Sequence, residues 1–258
     1  MFAKLFLKAC NSILNLIVAC SLVICGAYAV YALWDNNQVL AAAENVQAEM
    51  LKLKPVTEET AQETDNTDSF AQLLQINEDV CGWISMDNTQ IDHPILYGET
   101  NMEYINKDVY GGFALAGSIF LDSRNDKLFG DAYSLLYGHH MADSRMFGDL
   151  ELYKDEAFFR DNRTGTLILP HGTFDLEVIS CMLVGSFDEH IFEPESTRDD
   201  IQSLLDFAEK ESLFVNNDVL VRARQTEGLQ ILALSTCSSE FTDARTIVLT
   251  VMNPHTVG

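Results

Sequence analysis

Basic residues are scarce in this chain of 258 residues. Lys and Arg number 16 against 39 Asp and Glu, and the formal net charge is −23. Lys4 and Lys8 precede a long apolar run, which leaves 14 basic against all 39 acidic residues after it, a formal charge of −25. Proteins that bind nucleic acids need basic surfaces to neutralise phosphates, so this composition argues strongly against a nucleic-acid partner. A cationic substrate would suit such a surface, although solubility explains the charge equally well.

Cysteine is also sparse outside the N-terminal region. Three cysteines lie in or beside the apolar run and three follow it: Cys10, Cys20 and Cys25, then Cys81, Cys181 and Cys237. Three cysteines do not make the cysteine-dense scaffold of a small secreted protein. Two buried thiols at Cys81 and Cys181 are therefore favoured over a disulfide between them, and either arrangement leaves Cys237 free.

The longest apolar stretch lies near the N-terminus. Residues 13–34 carry no charge, and about 20 such residues span a bilayer. Lys4 and Lys8 precede the stretch and acidic residues follow it, so the positive-inside rule predicts a cytoplasmic N-terminus. A cleaved signal peptide is the alternative, because Ala27-Tyr28-Ala29 resembles a cleavage site. The stretch continues apolar to Trp34, which favours an uncleaved anchor, and both interpretations export the rest of the chain.

We divide the sequence into four parts. Residues 1–12 are predicted to be cytoplasmic, 13–34 to span the membrane, 35–67 to form a helical and acidic stalk, and 68–258 to form one folded domain. In the stalk, good helix formers predict a helix from Ala41 to Lys54. The acidic segment from Glu58 to Asp68 is typical of an exposed linker. The last part is long enough to bury one core.

Most elements of this domain are predicted to be strands. Apolar and β-branched runs predict strands at Val80 to Met86, Gly117 to Leu121, Thr166 to Leu169, Phe174 to Val184, Leu229 to Leu234 and Thr246 to Met252. Periodicity predicts one long helix from Thr197 to Phe214, capped by Thr197, with shorter helices near Ser69 to Leu74 and Met146 to Leu150. The fold class is therefore mainly β, a barrel with peripheral helices.

The last two predicted strands form one hairpin. Cys237 follows the first strand and Arg245 precedes the second, so we expect the two residues to face each other at one end of a sheet. A guanidinium lowers the pKa of a nearby thiol and stabilises the oxyanion that forms when a carbonyl is attacked. Cys237 and Arg245 are thus candidates for a nucleophile and an oxyanion-stabilising cation.

A histidine pair ends the strand-like run from Tyr133 to Tyr137. Gly138 is expected to allow an unusual backbone turn before His139 and His140. Catalytic Cys and His residues are commonly distant in sequence, so either histidine is a candidate base for Cys237. Successive side chains on a strand point to opposite faces, so only one of them can face the thiol, and the residues alone do not select it.

The same alternation argues against a metal site. Neighbouring histidines on a strand diverge and do not readily share one ion, and the sequence contains no His-Glu-x-x-His or paired Cys-x-x-Cys pattern. We therefore predict no metal and no cofactor.

Four segments together resemble the sortases, and among them class B. These segments are Gly117-Ser118-Ile119-Phe120-Leu121-Asp122, Tyr137-Gly138-His139-His140-Met141, Leu234-Ser235-Thr236-Cys237 and Asp243-Ala244-Arg245. The resemblance covers roughly residues 68 to 253 and depends on several motifs in the right order. It departs at His93, where the family more often has an aromatic residue, and we place His93 outside the catalytic set.

The resemblance implies a sortase-type β-barrel and a cysteine transpeptidase with His139, Cys237 and Arg245 as catalytic residues. It also implies a supporting contact from Ser235 to the substrate. The implied substrates are surface proteins with a C-terminal sorting signal of the Asn/Ser-Pro-x-Thr type, and the implied acceptor is an amine of a peptidoglycan precursor. The catalytic domain is then expected outside a Gram-positive cell, held to the membrane by the N-terminal helix.

Two alternatives use the same sequence differently. A secreted cysteine peptidase would use Cys237 and His139 but pass the acyl group to water. A membrane-tethered binding module would need no reactive thiol at Cys237.

Overall fold

The computed structural model describes residues 2–55, 67–141, 144–237 and 244–255, with the backbone alone for Phe2, Ala3, Leu5, residues 67–69 and Cys237. The chain forms two compact units, Met1–Ala42 and Ala43–Gly258. The first unit is part of a single helix, α1 (Phe2–Leu51), which continues into the second. The stretch Phe6–Leu51 is the one helix in the described ranges that is long and apolar enough to cross a membrane.

The second unit contains the remaining elements. The helices are α2 (Thr67–Ile76), a 3-10 helix (Gly148–Lys154), α3 (Glu156–Asp161), α4 (Glu189–Phe192), α5 (Pro194–Asp199), α6 (Ile201–Glu211) and α7 (Asn217–Gln225). The strands are β1 (Val80–Met86), β2 (Asp92–Leu96), β3 (Ile119–Leu121), β4 (Tyr133–His139), β5 (Thr164–Leu169), β6 (Gly172–Gly185), β7 (Ser212–Val215), β8 (Ile231–Cys237) and β9 (Ala244–Pro254).

Eight of the strands that the structure describes close into a barrel. Their order is β5, β1, β2, β3, β4, β8, β9, β6, and β6 pairs back to β5. Neighbours are antiparallel except in the pairs β2 with β3 and β4 with β8, which are parallel. The long strand β6 pairs with β5 through its first half and with β7 through its second half. The predicted mainly β barrel with peripheral helices is confirmed.

Strand β8 is buried on both of its faces. Leu232 and Leu234 belong to a cluster with buried side chains of the other barrel strands, which is the barrel interior. Ile231 and Ala233 alternate with them and pack under α6 and α7 on the outer face. Two buried faces explain why the run is continuously apolar rather than alternating. The predicted hairpin of β8 and β9 is also observed, with Ser235 paired to Ile247.

The segment 197–214 does not form the single helix that its periodicity predicts. Asp200 has φ −137° and ψ 69°, which interrupts the helical backbone between α5 and α6, and its side chain accepts a hydrogen bond from the backbone N–H of Ser203. The cap of α6 is therefore Asp200 rather than Thr197. From Ser212 onward the chain pairs with β6 as a strand, because the sheet offers backbone hydrogen bonds that outweigh weak helix propensity.

Residues 43–55 pack on the outside of the barrel. Met50 is 1% exposed and belongs to a cluster with Trp83 of β1. Lys54 forms an ion pair with Asp92 at 2.8 Å, and the same carboxylate accepts a hydrogen bond from Trp83 Nε1 at 2.6 Å. The sequence indicated little core-forming capacity here, whereas the structure buries Met50 completely. The acidic segment that begins at Glu58 lies outside the described residues as far as Asn66.

Cys81 and Cys181 are free thiols buried in the barrel interior. Burial raises the pKa of each thiol to about 12. A thiol with such a pKa carries almost no thiolate at neutral pH and is unreactive. Two buried thiols, the arrangement that the sequence favoured, are therefore present in place of a disulfide.

Candidate active site

The ends of three strands meet at one end of the barrel. In the parallel ladder of β4 and β8, His139 is the register partner of Cys237. In the antiparallel ladder of β8 and β9, Ser235 pairs with Ile247, so the chain reaches Cys237 two residues later on one strand and Arg245 two residues earlier on the other. The topology thus brings His139, Arg245 and the backbone of Cys237 to one place. The connection 238–243 lies outside the described residues.

Gly138 is required by close packing and not by an unusual turn. It lies within β4 and has no positive φ. A Cβ atom built on Gly138 would lie 2.4 Å from Ile119 Cδ1 and 2.7 Å from two ring atoms of Phe147. The Phe147 ring therefore occupies the space that a side chain at position 138 would need. The backbone N–H of Phe147 also donates a hydrogen bond to the His139 carbonyl at 3.0 Å. Together these contacts fix the backbone that carries His139.

The two adjacent histidines have different electrostatic neighbours. Burial lowers the pKa of His139, and the positive charge of Arg245 lowers it further. His140 instead interacts electrostatically with Glu151 and contributes to lowering the pKa of that carboxyl group. The alternation along β4 thus separates the pair, with His139 next to Arg245 and His140 next to Glu151. The structure distinguishes two histidines that the residues alone did not.

Glu151 of the 3-10 helix supports the strand end behind Arg245. It accepts a hydrogen bond from the Thr246 hydroxyl at 2.5 Å and forms an ion pair with Lys154. Burial opposes ionisation of Glu151, but these hydrogen bonds outweigh it and lower its pKa. The Thr246 backbone N–H donates to Thr236 Oγ1 at 3.3 Å, which links β9 to β8 one residue before Cys237. The network holds both strand ends in register.

A cavity of about 420 Å³ opens beside these strand ends. Residues of β4, β8, β9, α4 and the neighbouring loops line it: Arg124, Tyr137, Ser186, Phe187, Glu189, Phe192, Glu193, Thr236 and Arg245. Phe187 is 86% exposed and offers an aromatic surface to a ligand. A volume in this range is typical of sites that bind small ligands. The cavity is therefore the candidate substrate site.

A buried carboxylate anchors one wall of the cavity. Asp122 is 0% exposed and accepts hydrogen bonds from Arg124, from Asn101 Nδ2 at 2.9 Å and from the Tyr137 hydroxyl at 2.9 Å. Burial alone would raise its pKa, but hydrogen bonds from Arg124 and the charge of that guanidinium outweigh burial and lower it. Asp122 thus fixes both Tyr137 and Arg124 at the cavity. The sequence placed Asp122 in a family motif but gave no sign of this role.

The remaining predicted site residue and the histidine of β2 lie apart from the cavity lining. Ser235 is fully buried, and its hydroxyl donates to the Thr236 carbonyl at 3.4 Å, whereas Thr236 itself lines the cavity. His93 is buried in β2, where burial lowers its pKa to about 4. Among the described residues, no group of three or more His, Cys, Asp or Glu side chains is arranged to hold a metal ion.

The protein is thus a closed β-barrel with a histidine, an arginine and the backbone of a cysteine at one end, and comparison with known proteins gives its family. The chain is 28% identical to sortase B of Staphylococcus aureus over 245 residues, which cover 95% of this chain and 96% of that protein. It is 32% identical to sortase B of Listeria monocytogenes over 176 residues, 67% of this chain and 68% of that protein. No family model matches the chain.

Solved structures agree with these relatives. A class B sortase of Streptococcus pyogenes involved in pilus biogenesis is 36% identical, with a TM-score of 0.64 over 71% of this chain and 97% of that one. The Staphylococcus aureus sortase B-substrate complex is 27% identical, with a TM-score of 0.68 over 85% of this chain and 98% of that one. The chain belongs to the class B sortases. It is accordingly a cysteine transpeptidase.

Proposed function

We propose that this enzyme cleaves the C-terminal sorting signal of surface proteins and joins them to an amine of the cell wall, using Cys237, His139 and Arg245. The observation that carries the proposal is the register pairing of His139 with Cys237 at the strand end where Arg245 also lies. A nucleophile, a proton carrier and a fixed cation are the groups that acyl transfer requires. The signal is of the Asn/Ser-Pro-x-Thr type, as the family resemblance implies.

The reaction proceeds through a thioacyl enzyme. The Cys237 thiolate attacks the carbonyl carbon of the signal threonine, and the Arg245 guanidinium stabilises the oxyanion. Protonated His139 donates its proton to the leaving amine as the C–N bond breaks. An acceptor amine then attacks the thioester, neutral His139 takes its proton, and the C–S bond breaks to restore the thiolate. The lowered pKa of His139 favours the neutral imidazole, which accepts the proton in the second half of the reaction, whereas the first half uses the protonated form.

The substrate lies in the cavity beside these residues. Tyr137 and Phe192, whose rings stack at 6.4 Å, form an apolar wall, and Phe187 adds an exposed aromatic surface. Arg245 supplies donors for the substrate carbonyl, whereas the Arg124 guanidinium is held by Asp122, Glu193 and the Phe192 carbonyl. A supporting contact from Ser235 to the substrate, which the family resemblance implies, is part of the proposal; its buried hydroxyl lies at the carbonyl of Thr236, a residue of the cavity lining.

The proposed location is the outer face of the cell membrane. Residues 1–12 are cytoplasmic, 13–34 span the membrane, and 35–67 join the span to the catalytic domain of 68–258. Support comes from Lys4 and Lys8 before the span and from the long apolar helix that contains it. Protease added to intact cells should digest the catalytic domain and leave the first residues protected. Protection of the catalytic domain would reverse the proposed orientation.

One experiment tests the chemistry. The full-length chain in detergent is incubated with a fluorogenic peptide that contains an Asn-Pro-x-Thr core, with and without an amine. Cleavage should yield amide product and should disappear in Cys237→Ala. His139→Gln should lower kcat at least about 100-fold, whereas the matched variant His140→Gln should retain most activity. Acid product alone in the presence of amine would indicate a peptidase, and activity of Cys237→Ala would refute the nucleophile.

A further inference from the structure

One charged group of the cavity lining, the Glu189 carboxylate, is not paired with an opposite charge of the described residues. Arg124 forms an ion pair with Glu193 at 3.0 Å and another with Asp122 at 2.8 Å, so three of the charges near the cavity satisfy one another. Glu189 is exposed and lines the same cavity. Its carboxylate makes no hydrogen bond or ion pair with any residue that the structure describes. The cavity lining therefore includes an anionic group that has no partner among the residues that the structure describes.

The turn that carries Glu189 is firmly held. Ile191 is fully buried under α6 and α7, and its carbonyl accepts the Tyr133 hydroxyl at 2.9 Å. The Phe192 carbonyl accepts a hydrogen bond from Arg124 Nη2 at 2.7 Å. The His190 ring stacks on Phe207 with ring centroids 4.3 Å apart. These contacts hold the backbone of Glu189 in place beside the cavity.

The second half of the proposed reaction brings a cation to this place. Primary amines have pKa values of about 8 to 10, so an acceptor amine reaches the enzyme near neutral pH mainly as an ammonium. The only cationic side chains that line the cavity within the described residues are Arg124 and Arg245, and they serve the anionic groups and the oxyanion. An ammonium would be repelled by both guanidinium groups and attracted by a carboxylate.

We propose that Glu189 forms an acceptor subsite that binds the ammonium group of the primary-amine nucleophile. This inference rests on the proposed transpeptidase function and specifies how its second substrate is recognised. The bound ammonium releases one proton to solvent, and the nitrogen lone pair forms the new C–N bond with the thioester carbon. His139 takes the second proton from that nitrogen, and the C–S bond breaks with its electron pair on the Cys237 sulfur.

The test compares two nucleophiles that differ in charge. The full-length enzyme and its Glu189→Gln variant are assayed with a sorting peptide near neutral pH and at low salt. The nucleophile is either glycinamide, which is largely cationic at this pH, or hydroxylamine, which is largely neutral. Removing the carboxylate should raise the KM for glycinamide about threefold to fivefold, the upper part of the range of a solvent-exposed ion pair. The KM for hydroxylamine and the KM for the sorting peptide should not change.

Matched variants separate charge from structure. Glu195→Gln removes an exposed carboxylate of α5 outside the cavity lining and should leave the KM for glycinamide unchanged. Glu189→Lys should raise that KM further than Glu189→Gln. Salt near 1 M, where the Debye length is about 3 Å, should remove the difference between wild type and Glu189→Gln.

Each alternative outcome is decisive. An equal rise in KM for glycinamide and hydroxylamine, or a rise in the KM of the sorting peptide alone, overturns the ammonium subsite. Normal cleavage of the peptide with an unchanged glycinamide KM in Glu189→Gln also overturns it and leaves the transpeptidase intact. A wild-type enzyme that cleaves no sorting peptide overturns the proposed function and this inference with it.

Discussion

His139 and Cys237 are register partners in the parallel ladder between β4 and β8. The ladder runs from the pair Tyr133 and Ile231 without a shift to these last residues. Neighbouring strands lie about 4.8 Å apart, so backbone hydrogen bonds of the barrel set the spacing of the two positions. The proposed base and nucleophile are therefore placed by main-chain pairing, which is more rigid than placement by loops.

The charge of Arg245 should control the pKa of His139. A nearby cation disfavours the imidazolium, so Arg245→Gln should raise the pKa of His139 toward its ordinary value of about 6.5. The shift should be partial, because burial, the larger cause, stays. Arg245→Lys preserves the charge and should keep the pKa low. NMR titration of histidine ring signals, assigned with His139→Gln, measures the change, and an unchanged pKa in Arg245→Gln would contradict the proximity.

Gly138→Ala should destabilise the domain and impair catalysis. The new Cβ would collide with Ile119 and Phe147 at distances below 3 Å. Overpacking of this kind costs about 1–3 kcal/mol and displaces the backbone of His139. Urea unfolding measures the loss and peptide cleavage measures the activity. Gly172→Ala, where nothing lies within 4 Å of the added atom, serves as control. Equal stability of the two variants would show that Phe147 moves without cost.

The Asp122 carboxylate should stabilise the fold in a pH-dependent way. Its folded-state pKa is lowered, so its contribution is fully present above its unfolded pKa of about 3.9 and is lost as pH falls through the folded value. Asp122→Asn should cost about 2 kcal/mol at neutral pH, and Tyr137→Phe, which removes one hydrogen bond to it, about 1 kcal/mol. Urea unfolding at neutral and at acid pH tests this. A difference between wild type and Asp122→Asn that fails to shrink in acid would contradict it.

The C-terminal end of α1 should contribute to the stability of the barrel. Met50 is 1% exposed among Trp83 and other buried side chains, so Met50→Ala should cost about 2–5 kcal/mol. The neighbouring Leu51 is 42% exposed, and Leu51→Ala should cost little. Thermal unfolding of the two variants compares them directly. Equal melting temperatures would show that the packing of Met50 on the barrel does not contribute to its stability.

The strands that the sequence predicted are those with long apolar runs. The hairpin of β8 and β9 was evident because both faces of β8 are buried and the run is unbroken. Strand β2 was missed, because it has five residues and contains Pro94, which interrupts the strand signal. Met50 was missed as a core residue because the sequence of an amphipathic helix does not show which element packs against the apolar face of that helix. Tertiary contacts decided both cases.

The site was predictable in part from spacing and resemblance. Motif order and the hairpin pointed to Cys237 and Arg245, and the structure brings Arg245 and the Cys237 backbone to one barrel end. The choice between His139 and His140 required the family pattern, because alternation along a strand has no absolute direction. Glu189 gave no sequence signal, since a single carboxylate is common in a chain with 39 acidic residues, and the motif that contains Asp122 gave no sign of its role. Their roles depend on which elements pack beside the cavity.

The strand order also determines when the proposed active site can assemble during folding. The last two strands of the chain are inserted between β4 and β6, so the barrel stays open until the C-terminal residues have paired. A chain in which β8 has not yet paired with β4 therefore has no assembled pair of thiol and imidazole. Non-local pairing of this kind is slow to form. Assembly of the proposed site therefore depends on the pairing of strands that come late in the chain.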